Sequence, residues 1–435
     1  MEPLYKLSLR EVVTGTHERR WSAAQVMRAA LHRIHAREPQ VRAWEHLDGE
    51  VAIARAEALD AGQGQAAGAL QGAPIGVKDI IDVAGMPTKY GSPVYADAAP
   101  AAESAHCVQA LENAGAVVVG KTVTTEFAYY TPRQTRNPWN ASHTPGGSSM
   151  GSAASVACGM VAGALGSQTN GSVIRPAAFC GIVGWKPSYG TVSNHGTLDP
   201  WPTLDHTGVF ARNVADAALL AATIAKDGAL AASVTARERP PRLALVRSPV
   251  WHLAETPQKE MLESNAQTLR AAGAQIHELG LPTEYADAHR AHRVILAYEG
   301  ARHFGALQKE HRDRMSAEFN ALLDEGAGIA EREYGEALAR TDQLRKDFSQ
   351  TTSSYDAIIT PPAAGEAPAT LEQTGNPTFC TMWTLLGVPA ITIPVGFGPA
   401  GLPLGLQIVG RMREDDHTVA VAAWCEAQLT FRGLL

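Results

Sequence analysis

Apolar and polar positions along the chain follow two rhythms. From 8 to 60, alanines and leucines recur at helical spacing, notably through Ala23–Ile34 and Val51–Leu59, and predict a helical N-terminal segment reaching from about 1 to 60. A loop rich in Gly and Gln follows at 62–72. Pro74–Val83 reads as a buried strand closed by a turn at Gly85, residues 104–114 as a helix and Ala116–Val119 as a buried strand. Ala153–Leu165 is dominated by small residues and predicts a helix that other backbones approach closely. Beyond it, Leu243–Val246 reads as a strand, Lys259–Ala272 as a helix, and Ala357–Thr360 and Ala390–Val395 as core strands. Residues 287–348 are helical and charged, which suits a peripheral cover. This alternation argues for an α/β fold with much parallel pairing.

Composition narrows the class. The 435 residues carry 45% hydrophobic and 19% charged side chains, enough for a large core in an ordinary globular chain. That length permits two or three domains or one large one. The best linker candidate is Arg237–Arg242, with Pro240-Pro241, but a surface turn inside one domain explains it better. A net charge of −7 gives no footprint for nucleic acid or an anionic membrane. Basic clusters such as Arg19-Arg20 and Arg237-Glu238-Arg239 are short and lie beside acids. The five cysteines (107, 158, 180, 380, 425) form no CxxC and are odd in number, so reduced, buried thiols in a cytoplasmic protein are expected. Met1-Glu2-Pro3 opens no signal pattern, and no apolar run is long enough to span a bilayer.

The chemistry concentrates in three places. Pro145-Gly146-Gly147-Ser148-Ser149-Met150-Gly151 and Gly171-Ser172 put serines on glycine-rich turns, and Gly76-Val77-Lys78-Asp79 lies upstream. Cleaving an amide needs a nucleophile, a proton shuttle and donors for the developing oxyanion. A lysine serves as base only when neutral, and burial favours that form. Glycine-rich turns expose N–H groups without Cβ obstruction. Two serines and a lysine with no evident histidine partner therefore suggest amide or ester hydrolysis. Taken alone, Lys78 would more often be an ordinary lysine paired with Asp79.

These segments resemble the amidase signature family. Gly151-Ser152-Ala153-Ala154, Pro176-Ala177-Ala178-Phe179-Cys180-Gly181, Gly120-Lys121-Thr122, Glu126-Phe127-Ala128, Asn137-Pro138-Trp139 and Gly401–Gln407 extend the match over most of the chain, weakest at 225–350. The resemblance implies a single α/β domain over 1–435, with a large central mixed sheet flanked by helices and a variable helical cover at about 225–350. It implies Ser172 as nucleophile, Ser148 as bridging serine after a cis peptide bond, and Lys78 as base. The oxyanion hole would be the N–H groups of Thr169, Asn170, Gly171 and Ser172. No metal or organic cofactor is implied, the partner is a small-molecule amide, and a homodimer is compatible with the family.

The chain departs from the common Gly-Thr-Asp-Thr-Gly-Gly-Ser pattern. Gln168 stands for an acid and Asn170 for a glycine, and asparagine tolerates a left-handed φ better than most residues. Ser149 and Ser152 read as turn or helix-capping residues, with a supporting bond from Ser149 as the alternative. Arg175 fits either a structural tie to a core carboxylate or recognition of a substrate carboxylate. Tyr129, Tyr130, Phe379 and Trp383 are candidates for the pocket wall or for plain core. His289 and His292, three apart on a helix, lack a third metal ligand and read as solvated or packed.

Four functional classes remain in view: a free amide hydrolase, the A subunit of a tRNA-dependent amidotransferase, a non-catalytic binding protein, and a P-loop nucleotide-binding protein. The last rests on Gly115–Thr122, which fits G-x-x-x-x-G-K-T. Its middle residues, Ala-Val-Val-Val, read as the strand itself and leave no loop to wrap phosphates. The segment at 168–170 and the short length weigh against the amidotransferase, and the presence of all three triad positions weighs against a binding protein.

Overall fold

The computed structural model describes residues 3–62, 68–235, 239–431 and 433. Part of the Gly/Gln-rich loop, and Arg237 and Glu238 of the linker candidate, lie outside the described residues. Eleven strands among them form one sheet: β1 (Trp44–Leu47), β2 (Pro74–Lys78), β3 (Val117–Thr122), β4 (Gly163–Gln168), β5 (Val183–Lys186), β6 (His206–Ala211), β7 (Arg242–Leu245), β8 (Gln275–Glu278), β9 (Ala357–Thr360), β10 (Ala390–Phe397) and β11 (Pro403–Val409). Their spatial order is β1-β3-β2-β4-β6-β5-β10-β11-β9-β7-β8. The trios β3-β2-β4 and β9-β7-β8 are parallel and the remaining pairings antiparallel. The sheet is thus mixed, and parallel pairing is confined to those two blocks. β7 follows directly on Pro240-Pro241 and pairs within this same sheet.

Two elements differ from the sequence reading. The N-terminal segment is not wholly helical: β1 interrupts it between the Ala23–Val41 and Gly49–Asp60 helices. The small-residue stretch is a helix only over Met150–Ala157, then turns at Gly159 (φ +68°) and becomes β4. Both β2 and β4 are buried along their whole length. A strand covered on both faces shows no polar alternation, so small residues there mimic a buried helix.

That hidden strand positions the chemistry. β2 and β4 run parallel in the register Val77↔Leu165, so Lys78 and Ser167 emerge from the same carboxyl edge of the sheet. The Met150–Ala157 helix sits tightly on this region. A Cβ at Gly151 would lie 2.1 Å from Ala43 O and 2.5 Å from Val123 N, so only glycine allows the approach. The charged helices Asp287–His311, Ala317–Gly328 and Glu331–Thr351 pack around a second core that contains Trp201, Ile295, Phe319 and Trp383.

Candidate active site

Lys78 ends β2 with a side chain wholly shut off from solvent. Its Nζ donates to Ser148 Oγ at 2.6 Å and to Ser167 Oγ at 2.7 Å. Burial drives the amine down from its ordinary 10.5 to about 7, against the opposing pull of the Asp205 carboxyl. Asp79 is not its partner, because that carboxylate pairs with Lys121 at 3.0 Å. The Gly147–Ser148 peptide is cis.

Ser148, Ser172, Thr169, Asn170 and Gly171 line one narrow cleft together with Tyr129, Tyr130, Arg175, Trp201, Leu296 and Pro377. Neither helix nor strand covers residues 169–172. Among the described residues, their four backbone N–H groups meet no protein acceptor. Such a row of free donors beside a serine is an anion cradle in form. A Cβ at Gly171 would lie 2.9 Å from Pro377 Cβ and 3.2 Å from Cys380 Cβ, so close packing demands glycine there.

The two departures in this turn acquire a physical reading. Gln168 Oε1 accepts from Val173 N at 2.9 Å and Ile174 N at 3.0 Å, while its Nε2 donates to Thr384 Oγ1 at 2.9 Å. The amide oxygen takes two N–H groups at the start of the Ile174–Cys180 helix, a role open equally to a carboxylate. Asn170 is not among the residues with positive φ, so the left-handed tolerance expected of it is not used. Instead its Oδ1 accepts from Thr381 Oγ1 at 2.7 Å.

The structure sorts the remaining candidates. Tyr129 and Tyr130 reach the cleft; Trp383 does not, being buried against Phe348 in the second core. Phe379 packs in a separate cluster with Ala363, Ala367 and Leu402. Arg175 lines the cleft, but among the described residues no carboxylate holds it: it donates to Gly375 O at 2.6 Å, Gly147 O at 2.7 Å and Thr374 Oγ1 at 3.1 Å. Neither the Ser149 nor the Ser152 hydroxyl caps a helix end. Ser149 Oγ donates to Ser167 O at 3.2 Å, and Ser152 Oγ to Leu165 O at 2.8 Å, so both stitch the helix to β4. His289 and His292 lie 3.1 and 2.9 Å from the carbonyls of Thr378 and Thr169. No group of three metal-ligating side chains occurs among the described residues.

Sequence reasoning passed over Ser167 and Asp205. The run of small residues that conceals β4 conceals Ser167 with it. Asp205 accepts hydrogen bonds from Thr169 Oγ1 and, at 3.1 Å, from Trp201 N, and burial raises its carboxyl well above the usual range. Nothing in its sequence neighbourhood marks it.

The P-loop reading finds no loop. Val117–Thr122 is strand β3, buried throughout, and Lys121 is spent on Asp79 and Thr88.

Residues 25–419 match the Amidase family. The chain belongs to the amidase family. Across that family it is similar to the A subunit of glutamyl-tRNA(Gln) amidotransferase from Synechococcus elongatus, 32% identical with 95% of this chain and 96% of the relative aligned. The corresponding protein of Chloroflexus aggregans is 33% identical, with 94% of each chain aligned. Among solved structures, an amidase crystal structure superposes with a TM-score of 0.88 at 30% identity, covering 98% of this chain and all of the other. The peptide amidase of Stenotrophomonas maltophilia superposes with a TM-score of 0.86 at 28% identity, covering 100% and 99%. The amidase-family α/β architecture predicted from the motifs is therefore the observed one. Among the described residues, no helix is long and apolar enough to cross a membrane.

Proposed function

We propose that this amidase-family chain is a free hydrolase of small linear amides working through a lysine–serine–serine relay. The observation that carries the reading is the buried Lys78 amine, lowered to about 7 and bonded to Ser148 at the edge of the cleft that Ser172 lines. As a free amine, Lys78 keeps one N–H on Ser167 and offers its lone pair to the Ser148 proton. Ser148 in turn takes the proton of Ser172, whose oxygen attacks the amide carbon. The oxyanion forms facing the N–H groups of residues 169–172. The proton then returns along the relay to the leaving nitrogen, the C–N bond breaks, and amine departs from an acyl-Ser172 ester. Water attacks that ester with the same relay as base, releasing the acid and restoring Ser172. Activated esters would enter the same path, and no cofactor takes part.

The cleft wall of Tyr129, Tyr130, Trp201, Leu296 and Pro377 favours a compact amide over a polymer. Arg175 lines it too, but its guanidinium is engaged by the carbonyls of Gly147 and Gly375, which favours a structural role over contact with a substrate carboxylate. Five buried cysteines, none of them in a disulfide, fit a reducing cytoplasm.

A second reading, the A subunit of a tRNA-dependent amidotransferase, draws on the full-length similarity to such proteins. Purified protein assayed alone against a panel of amides separates the two. Release of ammonia or amine without partner subunits supports the hydrolase. Release only when partner subunits and charged tRNA are added overturns it.

A further inference from the structure

We propose that His292, on the variable helical cover, is a positioning residue that aims one N–H of the oxyanion turn; this inference rests on the hydrolase reading above. Peptide planarity links each carbonyl of the turn to the N–H that follows it. Within one trans peptide unit the C=O and the following N–H point in opposite directions, so anchoring the carbonyl fixes the direction of the N–H. Along the turn each carbonyl is anchored. Thr169 O accepts from His292 Nε2 at 2.9 Å, Asn170 O from Thr384 Oγ1 at 2.5 Å, and Gly171 O from Arg175 N at 3.0 Å. These three bonds orient the N–H groups of Asn170, Gly171 and Ser172 respectively, the groups left without protein acceptors.

Two of the three anchors come from segments bearing motif residues or packed directly on them. His292 comes from the Asp287–His311 helix, in the region where the sequence match is weakest. It is 2% exposed, and burial lowers its imidazole to about 4, so the ring is neutral at working pH with one N–H. A carbonyl can only accept, which places that hydrogen on Nε2. Asp205 holds the same residue by its side chain, accepting from Thr169 Oγ1. Thr169 is thereby held both by the cover and by the residue that leads into β6, and a shift of the cover turns the Asn170 N–H away from the developing charge.

The test compares His292→Met, which fills the space without a donor, with His292→Gln, which restores one. Three readouts are taken: turnover of an amide found active in the panel, the second-order rate of Ser172 labelling by a fluorophosphonate, and the imidazole 15N spectrum of the wild type. The Met variant is expected to lose roughly ten- to a hundredfold in kcat and labelling rate with KM little changed, as for a mis-aimed oxyanion donor. The Gln variant is expected to recover most of that loss at equal melting temperature. Wild-type rates in the Met variant, or equal impairment of both variants, overturn the proposal. If the wild type is neither active nor labelled, the hydrolase reading falls and the spectrum decides the clamp by itself: a His292 ring protonated on Nε2 and untitrated down to about pH 5 supports it, and a ring titrating near its ordinary value overturns it.

Discussion

Lys78 Nζ donates to Ser148 Oγ at 2.6 Å in a setting that shuts the lysine off from solvent completely. The ammonium loses its hydration there, and the amine is lowered to about 7. A base works only when unprotonated, so kcat/KM is expected to rise with pH through about 7 and to level off above it. Below that value the acid limb should fall about tenfold per unit. A pH–rate profile on a neutral amide checks this, and an acid limb centred near 10 sinks it. The same shift has a sign for stability. Between about 7 and 10.5 the unfolded chain binds a proton at this lysine that the folded chain rejects, so stability rises with pH across that window. Lys186, also buried and lowered to about 7, adds a contribution of the same sign.

Substitutions along the relay should separate by role. Ser172→Ala is expected to abolish turnover and covalent labelling together, because no acyl acceptor remains. Ser148→Ala and Lys78→Ala should each reduce kcat by about two to four orders of magnitude, the usual size of a general acid–base contribution. Single-turnover kinetics with an activated ester provides the check. A Lys78→Ala variant running near the wild-type rate would refute the relay.

Legibility followed burial and periodicity. Lys78, Ser148 and Ser172 stand out in the sequence by their glycine-rich surroundings, and the structure bonds Lys78 to Ser148 and lines one cleft with both serines. β4 was not, since a strand buried on both faces and built of Gly163, Ala164, Leu165 and Gly166 carries no alternation. Ser167 vanished with it, although it holds Lys78 as closely as Ser148 does. β1 was masked by helices on either side. Trp383 shows the converse case. An aromatic near the end of the chain reads alike as pocket wall or core, and only packing against Phe348 decides for core. His292 and Asp205 act through a backbone carbonyl and a threonine hydroxyl far away in sequence, a relationship that no local pattern records.

Gln168 should matter chiefly as a brace. It accepts two N–H groups at the start of the Ile174–Cys180 helix and donates to Thr384, all in a buried setting. Gln168→Ala orphans those groups, at about 1–3 kcal/mol for a buried unsatisfied donor. Gln168→Glu keeps both acceptor bonds and should retain more stability than the alanine variant. Urea denaturation of the three proteins tests the order, and an alanine variant as stable as wild type would contradict it.

Arg175 makes a sharper test of substrate preference. Its guanidinium bridges Gly147 O and Gly375 O, which ties the turn before Ser148 to the 374–375 segment. Lysine lacks the planar fork that spans two carbonyls. Arg175→Lys is therefore expected to lower turnover of neutral and acidic amides by the same factor. A selective loss on acidic amides would instead establish a contact with a substrate carboxylate. Steady-state kinetics on one matched pair of amides distinguishes the outcomes.

Lys121, the ion-pair partner of Asp79, also carries the rival nucleotide reading. The pair is buried at 3.0 Å, with Thr88 Oγ1 a further 2.8 Å partner of the ammonium. Removing one member strands the other charge away from water, typically at about 3–5 kcal/mol. Lys121→Ala should thus be strongly destabilised, and Asp79→Asn combined with Lys121→Met should recover part of the loss by removing both charges. Were Lys121 a phosphate-binding lysine instead, its alanine variant would fold normally and lose a thermal shift that ATP gives to the wild type. Denaturation midpoints with and without ATP decide between the two: marked destabilisation with no ATP response in either protein is the expected result, and an ATP-dependent shift confined to the wild type would reverse the assignment.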